Sequence, residues 1–129
     1  MGPSQLLEIP RVTILLQSGP LALFFAFAIS HSLADFPLQG DYLARVKQRS
    51  KADSMPEWFI ALTAHSLIHA GGVWLVTGSV TLAAIELLLH WLIDLGKGEG
   101  YYGYVADQVL HLTCKVVYVI VLANGVQLS

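Results

Sequence analysis

The chain contains a single cysteine, Cys114. One thiol closes no internal disulfide, and it cannot build the four-cysteine type of zinc site, so a metal here would be held by nitrogen and oxygen. Charge is also scarce: 12% of the 129 residues are Asp, Glu, Lys or Arg, 55% are hydrophobic, and the mean hydropathy is +0.62. A water-soluble domain of this size would carry more apolar surface than it could bury, so a lipid bilayer is the expected solvent and partner. The formal net charge of −2 offers no basic surface, and no nucleic-acid partner is expected. Neither a Ser-His-Asp order nor a glycine-rich phosphate loop is present. Residues 1–17 lack a basic leader and a small-residue cleavage motif, so the expectation is a retained first span rather than a removable signal peptide.

What is present is a series of apolar stretches separated by polar breaks, an all-α pattern. Residues 1–17 contain Pro10 and a short apolar run from Val12 to Leu16. That run falls below the roughly 17–25 residues a helix needs to cross a bilayer, and it reads as an interfacial segment. Ser18, Gly19 and Pro20 supply a cap and a first-turn proline for a short first span over about 19–36, stopped by Pro37. Residues 37–54 read as a polar loop carrying Arg45, Lys47, Arg49 and Lys51, and the positive-inside bias predicts that this loop is cytoplasmic. Ser54 and Glu57 fit a capping box with Pro56 in the first turn, which opens a second span over about 55–77. A turn at Thr77-Gly78-Ser79 leads to a third span over about 80–95, closed by Gly96 and followed by a short glycine-rich loop. The fourth covers about 104–123. The expected architecture is one domain over 1–129, a transmembrane four-helix bundle with a short N-terminal interfacial segment. It would lie in the inner (cytoplasmic) membrane with both termini outward. Trp58, Trp91, Tyr101, Tyr102 and Tyr104 would then sit near the cytoplasmic interface, where amphipathic rings are enriched.

Each span carries ionisable residues four positions apart, and so on one helix face: His31 with Asp35, His65 with His69, Glu86 with His90 and Asp94, Asp107 with His111. This uses all five histidines. The four carboxylates inside the spans are the ones paired with them, an arrangement chance placement would not produce. At ~1.5 Å rise per residue, His31, His90 and Asp107 lie roughly 5–9 Å from the cytoplasmic ends, and His65, Glu86 and His111 roughly 11–15 Å. Asp35 and Asp94 come out near the surface and His69 deepest, a column longer than one ion's coordination sphere. Imidazole and carboxylate suit zinc, manganese or iron, so the expected cofactor is divalent metal, two zinc ions per chain. The candidate ligands are His31, Asp35, His65, His69, Glu86, His90, Asp94, Asp107 and His111. The bland alternative is interhelical hydrogen bonding or a proton relay. Lys115 continues the Asp107–His111 spacing and has two readings: charge compensation for a carboxylate such as Glu86, or an anchor for an anionic substrate group. Cys114 reads as a buried structural thiol.

The segments HSLADFPLQ, ELLLHWLIDLGK and DQVLH, with TAHSLIH between the first two, resemble the signature blocks of a family of small bacterial and phage membrane proteins, domain of unknown function 3307. The likeness runs over nearly the whole chain from the first span onward, and it implies a small multi-pass membrane protein without implying a reaction. More weakly, His31-x-x-x-Asp35 followed by Pro37 resembles a segment of the zinc-dependent phospholipase C and single-strand nuclease superfamily, all-helical enzymes that cleave phosphate esters at a zinc cluster. This chain has Glu86-x-x-x-His90 where that superfamily has the reverse order.

The expected function is a membrane-embedded metal-dependent hydrolase acting on a phosphate ester or another lipid-borne ester. Metal-activated water would be the nucleophile, Glu86 or Asp94 the general base, and Lys115 the contact to an anionic lipid substrate. Two alternatives use similar ligands: an intramembrane transporter of divalent metal or protons, and a di-iron oxidoreductase. The sequence fixes no oligomeric state.

Overall fold

A computed structural model describes residues 18–129, so the interfacial segment expected over 1–17 lies outside the described residues. Among the described residues there are five α-helices and one 3-10 turn, with no strand. The helices are α1 (Pro20–Asp35), α2 (Gly40–Val46), α3 (Met55–Thr77), α4 (Val80–Gly98) and α5 (Tyr104–Ala123), and the 3-10 turn is Arg49–Lys51.

Local chemistry explains most of the boundaries. Pro20 occupies the first turn of α1, where its missing N–H costs nothing. Ser54 Oγ accepts from the Glu57 N–H at 3.2 Å and Glu57 Oε2 accepts from the Asp53 N–H at 2.7 Å, so the start of α3 satisfies two backbone donors reciprocally. Gly78, at φ +74°, ends α3 in the left-handed conformation, and Ser79 then caps α4 by accepting from the Leu82 N–H at 3.0 Å.

Two boundaries depart from the sequence expectation. Part of the polar loop over 37–54 is helical: α2 turns off the axis of α1 by 87° and lies against α3. Asp41 in its first turn and Arg45 in its last complement the helix dipole, and fully buried Val46 fastens it to the bundle. In addition, α4 runs on past Gly96 to Gly98. Gly96 admits Tyr102 rather than ending the helix: a Cβ there would stand 2.6 Å from the Tyr102 hydroxyl oxygen, which donates to the Ile93 carbonyl. Burial, and then the Asp107 and Asp94 charges, raise the Tyr102 pKa above its ordinary value and keep the phenol a donor.

The four long helices close a ring, α3 against α4 and α1, α1 against α5, and α5 against α4. Its two faces invert the soluble pattern. Leu21, Phe25, Ile29, Phe59, Leu67, Leu75, Leu88, Leu92, Val109 and Val117 are exposed, whereas the five histidines, Glu86, Asp94, Asp107 and Lys115 are buried. The interior also divides along its length. Leu23, Phe27, Val73, Leu82, Tyr118, Val119 and Leu122 form an apolar cluster at the end where α1 and α4 start, and the ionisable groups fill the end nearer α2. By length and composition α3 and α5 are apolar enough to cross a membrane, and the bent α1–α2 pair makes a third span if counted as one. The three charged residues of α4, Glu86, Asp94 and Lys97, set it apart from these.

The Gly96–Tyr102 contact is testable. Gly96→Ala gains up to about 1 kcal/mol of helix propensity but overpacks against a ring fixed by its own hydrogen bond, at about 1–3 kcal/mol. Thermal unfolding in detergent should show net destabilisation in the wild-type background and none in a Tyr102→Ala background. Equal effects in both would mean the contact is not what excludes a side chain.

Candidate metal centre

The i,i+4 spacing on four helices turns every candidate ligand into the ring. All nine are buried except Asp35, which is intermediate. The imidazoles form one cluster: His90 stacks between His69 and His111, with ring centroids 3.6 Å and 4.0 Å apart, while His65 stands edge-on to His69 at 4.7 Å and His31 is tilted against it at 4.8 Å. His90 of α4 stands at the centre.

Carboxylates edge this cluster. Asp35 Oδ1 lies 3.1 Å from His69 Nε2 and 3.4 Å from His65 Nε2, and Asp35 Oδ2 lies 3.2 Å from His31 Nε2. Asp94 reaches His111 Nε2 at 3.2 Å, His65 Nε2 at 3.5 Å and His90 Nε2 at 3.7 Å. Asp107 Oδ1 lies 3.4 Å from His111 Nε2, and Glu86 Oε1 lies 3.4 Å from His90 Nδ1. Proximity here is not the same as hydrogen bonding. Both ring nitrogens of His65 and of His90, and Asp107 Oδ1, have no partner in hydrogen-bonding geometry, although carboxylate or imidazole atoms stand beside four of these five. His111 Nε2 is flanked by oxygens of both Asp94 and Asp107, and one N–H cannot serve the two. Buried polar groups left without partners are costly, and ones aimed at shared space are what a cation between them would satisfy. Ligands of one tetrahedral ion, bonded at about 2.0–2.2 Å, stand about 3.3–3.6 Å apart, and half of these separations fall in that range.

Two groupings have ligand atoms close enough to share an ion: Asp35, His65, His69 and His90, and then His90, Asp94 and His111, the atoms of each lying within 4.8 Å of one another. Six of the nine expected ligands enter them, and His90 belongs to both. The other three are held differently. His31 lies between Asp35 and Gln108, with Gln108 Oε1 at 3.3 Å. Asp107 Oδ2 accepts from Lys97 Nζ at 3.0 Å. Glu86 is fully engaged, accepting from Lys115 Nζ on one oxygen and from the Tyr118 hydroxyl at 2.8 Å on the other. The Lys115 ammonium is therefore directed at Glu86, the charge-compensating arrangement, and the pair is buried.

Four further residues complete the site. Lys47 Nζ donates to Asp94 Oδ2 at 2.7 Å and Gln108 Nε2 to Asp35 Oδ2 at 2.9 Å, alongside Lys97 and Tyr118. Tyr118 follows Lys115 by three positions on one helix face, a spacing the sequence does display. Lys47, Lys97 and Gln108 reach their partners through tertiary packing alone.

Lys115→Met should leave Glu86 buried without its counter-ion and cost about 3–5 kcal/mol of stability in detergent unfolding, whereas Lys115→Met combined with Glu86→Leu should recover most of it. A Lys115→Met protein as stable as wild type would contradict the ion pair.

Residues 23–129 match the family described as Protein of unknown function (DUF3307). Comparison with curated proteins and with solved structures finds no match, and the likeness of the His31–Asp35 segment to the phospholipase C and nuclease superfamily has no counterpart among these results. With the match running from the first turns of α1 to the last residue, the chain belongs to the DUF3307 family.

Proposed function

We propose that this protein is a metal-dependent hydrolase built into a four-helix transmembrane bundle, with two divalent ions per chain and an ester of the inner leaflet as substrate. The observation that carries it is the pair of abutting nitrogen–oxygen groupings joined through His90. Zinc suits such donors, as do manganese and iron. A divalent ion bound there would bring the pKa of a coordinated water towards ~7 and so supply hydroxide at neutral pH.

The chain's own residues divide the remaining work. Asp35, His65, His69 and His90 would hold one ion and His90, Asp94 and His111 the other, and His31 and Gln108 orient Asp35 through its second oxygen. Of the two carboxylates expected as general base, Asp94 is the better placed. Both carboxylates have both oxygens engaged, Glu86 by Lys115 and Tyr118 and Asp94 by Lys47 and His111, but Glu86 is sealed deep in the ring whereas Asp94 stands among His65, His90 and His111 at the α2 end. Glu86 with Lys115 and Tyr118 braces the deep side of His90.

Two considerations support four spans rather than three. The charges of α4 face inward, and its outer face, with Val80, Ile85, Leu88 and Leu92, is as apolar as that of its neighbours. Such a helix is compatible with lipid on the outside. A cytoplasmic position for the α2 end follows from Arg45, Lys47, Arg49 and Lys51 near it. Transport is less well supported, because the end opposite α2 is packed by the apolar cluster around Leu23, Phe27 and Leu122.

Purified protein is expected to carry about two zinc ions and to lose thermal stability on chelation. His90→Ala should lower metal content more than His65→Ala or His111→Ala, because it alone belongs to both groupings. Turnover of phospholipid or isoprenoid-phosphate esters in nanodiscs should be abolished by Asp94→Asn. Metal flux into proteoliposomes without hydrolysis would replace this function by transport. For orientation, Ser50→Cys in a Cys114→Ser background should label only from the cytoplasmic side and Ser129→Cys only from outside; the opposite pattern would invert the topology.

A further inference from the structure

Three lysines enter the site, and they are not equivalent. Lys115 lies deep on Glu86 and is sealed, whereas Lys47 and Lys97 lie at the α2 end, their side chains 10% and 30% exposed. Beside them, Asp35 is the least buried of the carboxylates, at 12%. The opposite end of the ring is filled by the apolar cluster. Access to the centre from water therefore runs past these two lysines.

Their contacts form one chain across the mouth. Lys47 Nζ lies 2.7 Å from Asp94 Oδ2, Asp94 Oδ1 lies 3.2 Å from His111 Nε2, His111 Nε2 lies 3.4 Å from Asp107 Oδ1, and Asp107 Oδ2 lies 3.0 Å from Lys97 Nζ. Each lysine takes one oxygen of a carboxylate whose other oxygen faces the same imidazole, and Asp94 Oδ2 faces His65 and His90 as well as Lys47. The lysines come from two sides, Lys47 from the end of α2 and Lys97 from the last turn of α4.

Charge balance says what such a mouth would take. The four interior carboxylates are opposed by three lysines, so with neutral imidazoles the side chains alone are short of one positive charge. Each divalent ion adds two. A loaded centre is therefore cationic, and with its lysine-lined opening it calls for a compact, multiply charged anion bearing several acceptor oxygens.

We propose that Lys47 and Lys97 are an anion clamp at the mouth of the metal centre that receives a phosphate group. This rests on the metal-centre function above and deepens it by assigning the substrate class and its contacts. A free phosphate and a phospholipid headgroup present the same oxygens, and the clamp serves either.

The test is phosphate binding by zinc-loaded full-length protein in phosphatidylcholine nanodiscs, measured by titration calorimetry with inorganic phosphate. A parallel arm adds phosphatidic acid to the nanodiscs and follows its phosphorus NMR signal. Wild type should bind in at least one arm, and the arm that responds identifies free phosphate or headgroup as the source. Lys47→Met with Lys97→Met should weaken binding by about tenfold or more at unchanged zinc content. Replacing both by arginine should retain binding, and Lys51→Gln, a charge lost from the same end but outside the mouth, should leave it unchanged.

Binding unaffected by the double Met variant, or weakened equally by Lys51→Gln, overturns the clamp. Loss of zinc together with phosphate also overturns it, since the lysines would then only compensate charge. Phosphate binding without ester turnover sinks the hydrolase and leaves the clamp standing. Turnover with an unchanged KM in the double variant does the reverse. Wild-type protein that takes up no zinc overturns both.

Discussion

Carboxylates Asp35, Glu86, Asp94 and Asp107 lie inside a ring of helices whose outer surface is apolar, and no water-rich surroundings are at hand to stabilise their charge. Isolated charges in such a medium cost several kcal/mol each, so every element must bring a partner to them. Helices α1, α4 and α5 do so by setting an imidazole one turn from a carboxylate, and α3 brings His65 and His69 to Asp35. Lysines complete the compensation from three directions: Lys115 within α5, Lys97 from the end of α4, and Lys47 from α2. The bend of 87° between α1 and α2 acquires its meaning here, because it swings Lys47 back over Asp94.

The same constraint gives the interior a direction. Apolar packing of Leu23, Phe27, Val73 and Leu122 closes one end, and the polar groups collect at the other, under α2 and the connection between α4 and α5. Arg49 pairs with Glu99 at 2.8 Å across that end and ties the two connections together. Compensation of charge does not account for every donor. The orphaned nitrogens on His65 and His90 are not explained by hydrogen-bonded pairs alone.

Much of this was legible in the sequence because helix geometry converts spacing into position. Four-residue intervals brought His31 onto Asp35 and His111 onto Asp107, and the Ser54–Glu57 box and Gly78 marked both ends of α3. Where tertiary contacts outweigh local signals, the sequence was silent or misleading. Gly96 looks like a helix terminator, yet it is a glycine because Tyr102 packs on it. Gly40–Val46 is too short to show a periodic pattern and is held by the burial of Val46. Depth along an isolated helix put Asp94 near the surface, and it is buried because a second element covers it. Glu86 lies beside His90 as its spacing predicts, but only the structure shows both its oxygens already engaged.

Whether the clustered histidines form a metal cage or a hydrogen-bonded network is decided most directly by X-ray absorption at the zinc edge of protein purified without added metal. A metal cage requires a first shell of imidazole nitrogen and carboxylate oxygen at about 2.0–2.2 Å, no sulfur, and multiple-scattering features of several histidines that diminish in His90→Ala. An edge showing sulfur ligation, or protein that carries no metal and melts unchanged after chelation, would contradict it and leave the histidines as a hydrogen-bonded network.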